Sequence, residues 1–244
     1  MSKNQTMQNI PVVILAGGLG TRIAENKGNL PKGLVEIGKY PIIFHIINYF
    51  KSYGSKSFII CTGYKENLIK KYFINNKKLF KNLDIKIVST GKKSNTGLRV
   101  KKIENFIKDI FFLTYCDGLT NLNLRKLLKF FLNNKKLGVL TSVNPKSRFG
   151  ILTIKNNKNI VNFDEKKNLD GIWINAGFYI FKKKIFTYIN KKNPIFESEI
   201  LSKVAKKKLL VAYKHRGFWK CMDTIKDKNE LNKIWKKGAP WKIW

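Results

Sequence analysis

The residues best suited to chemistry gather near the N-terminus. Gly17, Gly18, Gly20, Thr21 and Arg22 directly follow the apolar run 12–16. Glycines let the backbone turn sharply and bring bare N–H groups up to a ligand. A concave run of such groups suits phosphate oxygens. Arg22 adds a planar cation that can fork two of those oxygens. Beyond it, Pro31 holds a second cation, Lys32, in a turn. These residue types in this order point to a polyphosphate ligand.

Two aspartates stand on separate segments in apolar and aromatic settings: Asp117 after the run 110–115, and Asp223 after Gly217-Phe218-Trp219. Mg2+ favours one or two carboxylates plus phosphate oxygens, so the pair suits a metal beside that polyphosphate. Each also suits a turn or a helix cap. The residues alone leave both readings open. Two familiar phosphate motifs are excluded. Gly20-Thr21-Arg22 lacks the lysine of a Walker loop, and no third glycine completes the dinucleotide fingerprint.

The elements that must position these groups follow from periodicity. Strands are expected over 12–16, 58–62, 85–89, 110–115 and 138–143, and helices over 42–53, 66–73, 99–107 and 122–134. Pro41 suits the first turn of its helix, and Gly54 ends it. This alternation predicts an α/β fold: a mostly parallel mixed sheet flanked by helices. After Pro145 the rhythm changes. Segments 150–154 and 159–163 read as a hairpin, followed by strand 176–181, helix 197–208, strand 209–213 and helix 224–235. His45 lies on the apolar face of its helix and reads as a core histidine. Residues 1–9 are polar and expected to be loose, and 10–244 form one domain.

At 244 residues and 43% hydrophobic content, the chain can build a packed core. The net charge of +34 raises the question of a nucleic-acid or membrane-surface binder. The lysines, however, are spread along the chain and arginine is scarce beside them. The charge therefore reads as a basic solvated surface that draws in anionic small molecules, with no specific nucleic acid. Cys61, Cys116 and Cys221 form no Cys-x-x-Cys pair and leave an odd thiol, which suits a reducing cytoplasm. Cys116 and Cys221 sit just before the two aspartates. They read as small core fillers in preference to soft-metal ligands. No run approaches the about 18 apolar residues of a membrane span, and no secretory leader is visible. The chain is expected to be cytoplasmic.

The string Leu15-Ala16-Gly17-Gly18-Leu19-Gly20-Thr21-Arg22, followed by Pro31-Lys32, resembles the signature of the sugar-phosphate nucleotidyltransferases. Tyr115-Cys116-Asp117-Gly118, Phe149-Gly150, Phe163-Asp164-Glu165-Lys166 and Ile174-Asn175-Ala176-Gly177 follow in that family's order. The closing segments, Gly217 to Thr224 and Ala239-Pro240-Trp241-Lys242, resemble its cytidylyltransferase branch acting on glucose 1-phosphate.

The resemblance implies a Rossmann-like nucleotidyltransferase fold with a small β-rich, sugar-binding portion over about 145–222. It implies transfer from CTP to a sugar 1-phosphate with Mg2+. Arg22 and Lys32 would be catalytic. Leu15, Ala16, Gly17, Gly18, Gly20, Thr21, Arg22, Lys32, Ser94, Arg99 and Asp117 would bind the nucleotide. Gly150, Glu165, Lys166, Asn175 and Gly177 would hold the sugar phosphate, and Asp117 and Asp223 the metal. GTP or UTP, another sugar phosphate such as a heptose phosphate, and a non-catalytic nucleotide sensor are the rival readings. The family assembles as a homo-oligomer, but the stretch 74–89 is shorter here than in cytidylyltransferases, which leaves assembly open.

Overall fold

The computed structural model describes residues 6–18, 30–147, 149–165, 167, 169 and 171–244. Strand β1 (Val12–Leu15) is apolar throughout and buried on both faces, as a central parallel strand must be. Short strands β2 (Glu36–Ile37) and β3 (Tyr40–Pro41) pair and feed helix α1 (Ile42–Ser52). Then come β4 (Ser57–Thr62), α2 (Glu66–Asn75), β5 (Asp84–Ser89), α3 (Thr96–Lys101) and β6 (Ile110–Tyr115). Next are β7 (Gly118–Thr120), α4 (Leu124–Asn134), β8 (Gly138–Val143), β9 (Ile151–Lys155) and β10 (Asn159–Asp164). The chain closes with β11 (Ile174–Lys182), α5 (Ser202–Lys206), β12 (Leu210–His215), β13 (Trp219–Cys221) and α6 (Ile225–Lys236).

Seven strands form one sheet in the order β12-β8-β11-β6-β1-β4-β5. Every neighbouring pair is parallel except those of β11, which runs antiparallel to β6 and β8. The expected mostly parallel mixed sheet is thus present. Its two faces separate by strand alternation. Val12 and Ile14 pack with Phe58, Ile60 and Phe112 beneath α1, α2 and α4. Val13 and Leu15 pack with Ile59, Phe111, Leu113 and Phe181 on the other side. The hairpin β9–β10 forms its own two-stranded sheet outside this core.

Some boundaries differ from the sequence expectation. The helix expected over 99–107 starts at Thr96 and ends at Lys101, and a separate 3-10 turn, Glu104–Phe106, follows. The helix expected over 197–208 is a π-helical turn, Phe196–Leu201, running into α5. Asn123 caps α4, accepting from the Lys126 N–H, so that helix starts two residues late. Met7–Asn9, expected to be loose, form a 3-10 turn with Met7 buried. Among the described residues, no helix is long and apolar enough to cross a membrane.

Candidate active site

The strand order places a topological switch at β1. From β1 the chain moves outward to β4 and β5, then returns to β1's other side as β6. Ligands in open α/β sheets bind beyond the strand carboxyl ends at such a point. Leu15 of β1 is in register with Tyr115 of β6. Gly17 and Asp117, each two residues further on, therefore emerge side by side.

A second ribbon brings in the other aspartate. β7 pairs antiparallel with β13, Gly118 opposite Cys221, and the Met222 N–H donates to the Asp117 carbonyl at 2.9 Å. Asp223 is next in the chain. Behind it, Thr224 and Asp227 form a reciprocal capping box on α6, and the Asp227 carboxylate also accepts from the Asp223 N–H at 3.1 Å. The Asp223 backbone is held from both sides.

Lys32 completes the cluster. It opens a 3-10 turn, Lys32–Leu34, set by Pro31. Its Nζ lies 2.6 Å from Asp117 Oδ2 and 2.6 Å from Asp223 Oδ1. Burial works against the ammonium, but the two carboxylates outweigh it and raise its pKa above the ordinary lysine value. Lys32 therefore keeps its charge at any working pH. Cys221 Sγ completes a group whose ligating atoms, with those of Asp117 and Asp223, lie within 4.8 Å of one another. Its thiol is pushed up by burial and by both aspartates, so it is protonated at neutral pH. Cys116 is the core filler expected, pushed up to about 12 by burial. Cys221 is instead half-buried beside the carboxylates.

The donor set fits a hard divalent cation. Two carboxylates converge and already hold a positive charge between them, and the remaining ligands of Mg2+ are supplied by water and phosphate. Asp117 and Asp223 would hold the ion. A protonated thiol offers it nothing.

A cleft of about 1910 Å3 opens from this cluster, with Asp117 and Asp223 on its wall. Ligand pockets are usually about 300–1,000 Å3, so this one has room for two substrates. Asn175 and Gly177 line it, as do Phe218 and Trp219. Gly177 has φ +78, and a Cβ there would meet Tyr115 Cδ2 at 2.7 Å, so only glycine fits. Trp219 donates to the Ala176 carbonyl at 2.8 Å, while Phe218 stacks on Trp241.

The other expected positions are placed differently. Leu15 and Ala16 are buried, and Gly18 has open space where a side chain would be. Gly17, Gly18, Lys32, Ser94, Arg99, Gly150 and Glu165 are not part of the cleft lining. Gly150 and Glu165 sit at the hairpin, exposed. Gly20, Thr21, Arg22 and Lys166 lie outside the described residues. Ser94 donates to the Thr90 carbonyl.

Arg99, expected to contact the nucleotide, is held by the chain itself. It is only 4% exposed. Its guanidinium donates to the Gly17 carbonyl at 2.8 Å, to the Thr62 carbonyl at 3.2 Å and to Thr90 Oγ1 at 2.7 Å. A Cβ on Gly17 would lie 2.1 Å from Arg99 Nη1. Arg99 braces the start of the glycine loop from behind, and Gly17 must be glycine to admit it.

Sequence reasoning missed Glu197. It lines the cleft and accepts a hydrogen bond from the Tyr115 hydroxyl. The only signal was a phenol ending an otherwise apolar strand, a polar tip in need of a partner.

A lysine and two converging carboxylates at the switch point of such a sheet suit a nucleotide-handling α/β protein. More particularly, the chain belongs to the nucleotidyl transferase family, whose model matches residues 11–236. It is 38% identical over 254 aligned residues to the glucose-1-phosphate cytidylyltransferase of Salmonella typhimurium, covering 95% of this chain and 98% of that one. It is 31% identical over 175 residues to the D-glycero-alpha-D-manno-heptose 1-phosphate guanylyltransferase of Campylobacter jejuni, covering 71% and 76%. Among solved structures, HddC from Yersinia pseudotuberculosis complexed with GMP-PN superposes with a TM-score of 0.73 at 23% identity, covering 93% and 99%. This last likeness concerns the fold. The protein is a sugar 1-phosphate nucleotidyltransferase.

Proposed function

We propose that the protein joins CTP and α-D-glucose 1-phosphate to give CDP-glucose and pyrophosphate, for deoxysugar and surface-polysaccharide synthesis in the cytoplasm. The observation that carries this reading is Lys32 held between Asp117 and Asp223, the two aspartates on the cleft wall, in a chain 38% identical to a protein of that name. A sugar-phosphate oxygen attacks the α-phosphorus in line. The new P–O bond forms as the bond to the β-phosphate bridge breaks, and pyrophosphate leaves with the electron pair. The nucleophile is already an anion near neutral pH, so no general base is needed. The barrier is alignment and mutual repulsion of anions.

The chain's residues act on that barrier. Lys32 places a fixed charge beside the reacting phosphates, and Arg99 holds the Gly17 carbonyl where the chain enters the glycine loop. Arg22 would stabilise the departing pyrophosphate, and Lys166 with Glu165 would hold the sugar phosphate. Mg2+, when bound by Asp117 and Asp223, supplies further charge neutralisation on phosphate oxygens.

The relative acting on a heptose phosphate favours a second reading, the same chemistry with GTP and a heptose 1-phosphate. A pyrophosphate-release assay across four nucleoside triphosphates and several sugar 1-phosphates decides. CTP with glucose 1-phosphate is expected to give the highest kcat/KM. Preference for another pair overturns the finer assignment, and CTP binding without turnover under Mg2+ points to a sensor.

A further inference from the structure

We propose that Glu197 selects the sugar. It accepts a hydroxyl of the sugar phosphate directly, and through Tyr115 it fixes the hydrogen-bond donor that Asn175 presents to the same ligand. The inference rests on the sugar 1-phosphate reading above.

Five described acids line the cleft: Asp117, Glu197, Asp223, Asp227 and Glu230. Asp117 and Asp223 hold Lys32, and Asp227 and Glu230 pair with Lys220. Glu197 alone of these makes no ion pair. Neutral hydroxyls hold it instead. Thr96 Oγ1 donates to Glu197 Oε2 at 2.7 Å and is itself oriented by the Phe196 N–H at 2.9 Å. Tyr115 donates to Oε1. An ionised carboxylate accepts about four hydrogen bonds, so capacity remains on the cleft side. A carboxylate fixed by neutral donors, with no cation to quench it, suits a hydroxyl and repels a phosphate.

The chain of donors runs one way. Tyr115 uses its only O–H to donate to Glu197, so Tyr179, 3.1 Å away, must donate to Tyr115. Tyr179 in turn accepts from Asn175 Nδ2, and Asn175 Oδ1 accepts from the Gly177 N–H at 3.0 Å. The amide's oxygen and one N–H are thereby committed. Its second N–H has no partner among the described residues, and Asn175 lines the cleft. The site therefore offers a donor at Asn175 and an acceptor at Glu197. The ligand class is a sugar with one hydroxyl to give and another to receive. A sugar deoxygenated at either point leaves a polar group unpaired and is rejected.

The test is steady-state kinetics of the full chain with whichever nucleotide and sugar 1-phosphate the wild type uses, plus that sugar's monodeoxy analogues. Glu197→Gln is expected to raise KM for the sugar phosphate about 10- to 100-fold. KM for the nucleotide should stay within about twofold. Discrimination against one monodeoxy analogue should collapse. Tyr115→Phe keeps Glu197 but cuts the chain, so its smaller effect on the same discrimination should be non-additive with Glu197→Gln. If Glu197→Gln does not fold, Tyr115→Phe carries the same readout. Unchanged analogue discrimination, or an equal rise in both KM values, overturns the proposal. A wild type that turns over no sugar 1-phosphate overturns the underlying reading instead.

Discussion

The Lys32–Asp117–Asp223 cluster and the β9–β10 hairpin are built differently. The cluster sits on the ends of buried strands, locked by a ribbon and a capping box. The apolar side chains of the hairpin and of the residue leading into it stay exposed. Phe149 is 80% exposed, Phe163 63% and Ile160 61%. Under the proposed function, the charge that must stay fixed during transfer stands on the rigid part. The residues expected to grip the sugar phosphate, Gly150 and Glu165, stand on the part with least packing. The difference suggests chemistry shared across the family on the core, and substrate choice on a surface that tolerates change.

Removing the cluster's cation should have the largest effect. Lys32→Ala is expected to lower kcat by about 10²- to 10³-fold, the cost of losing one preorganised charge at a developing anion. KM for either substrate should move far less. The variant also leaves Asp117 and Asp223 facing each other, so Mg2+ should raise its melting temperature more than it raises the wild type's. Rapid-quench kinetics and thermal melts with and without Mg2+ check both expectations. A Lys32→Ala enzyme with full rate at saturating nucleotide would show that the cluster is not the reacting centre.

Arg99 tests whether the core side of the site works through rigidity. Arg99→Ala removes charged donors from the Gly17 and Thr62 carbonyls, which keep the Tyr64 and Thr90 N–H groups, and from Thr90 Oγ1, a loss of about 1–3 kcal/mol of stability. It also frees the loop start, so KM for the nucleotide should rise while KM for the sugar phosphate holds. Denaturant melts and initial rates separate the two. Unchanged nucleotide affinity would mean that the brace is only structural.

Sequence made much of the core side legible, and the reason is local. β1 and the turn that carries Lys32 are local in the chain, and their apolar periodicity and turn residues predict their own conformation. What brings Asp223 to Lys32, 191 residues away, is the pairing of β7 with β13. Three-residue strands carry too little pattern to be seen in advance. For Arg99, motif position says nothing about which way the side chain points; its burial follows from the two carbonyls and the threonine hydroxyl beneath Gly17. Glu197 was hidden because a π-helical turn, not a regular helix, carries it.

The chain's two histidines give a smaller effect that belongs to the core half alone. His45 is fully buried. Trp241 donates to its Nδ1 at 3.2 Å, so the proton sits on Nε2 and is given to the Ile37 carbonyl at 2.9 Å. Burial lowers its pKa, and Lys242 adds to that; burial also lowers His215. An unfolded imidazole titrates near about 6.5. Below that pH the unfolded chain binds protons that the folded chain refuses. Stability is therefore whole above about pH 6.5 and falls as pH drops, by at most about 1.4 kcal/mol per pH unit for each histidine. Melts between pH 7 and 5 should show this slope, and His45→Asn should flatten much of it. A slope unchanged in the variant would move the effect to His215 or to the carboxylates.

The smallest effect should come from the hairpin, and there the contrast is sharpest. Val161 lies at the β10 bulge between Ile160 and Asn162 and is 51% exposed. Phe112, in β6 beneath Phe50, is 1% exposed. Phe112→Ala should cost about 3–5 kcal/mol through lost contacts and a cavity. Val161→Thr keeps the β-branched shape that suits a strand and buries nothing new, so its cost should stay within about 0.5 kcal/mol. Equilibrium unfolding in urea measures both. A Val161→Thr loss of several kcal/mol at micromolar protein, vanishing on dilution, would show that the hairpin is covered by a second chain in solution. The contrast would then be one between a core made within a subunit and a core completed between subunits. A loss that stays small at every concentration keeps the hairpin a solvated arm, and leaves the sugar's recognition to Glu197 and Asn175 on the cleft wall.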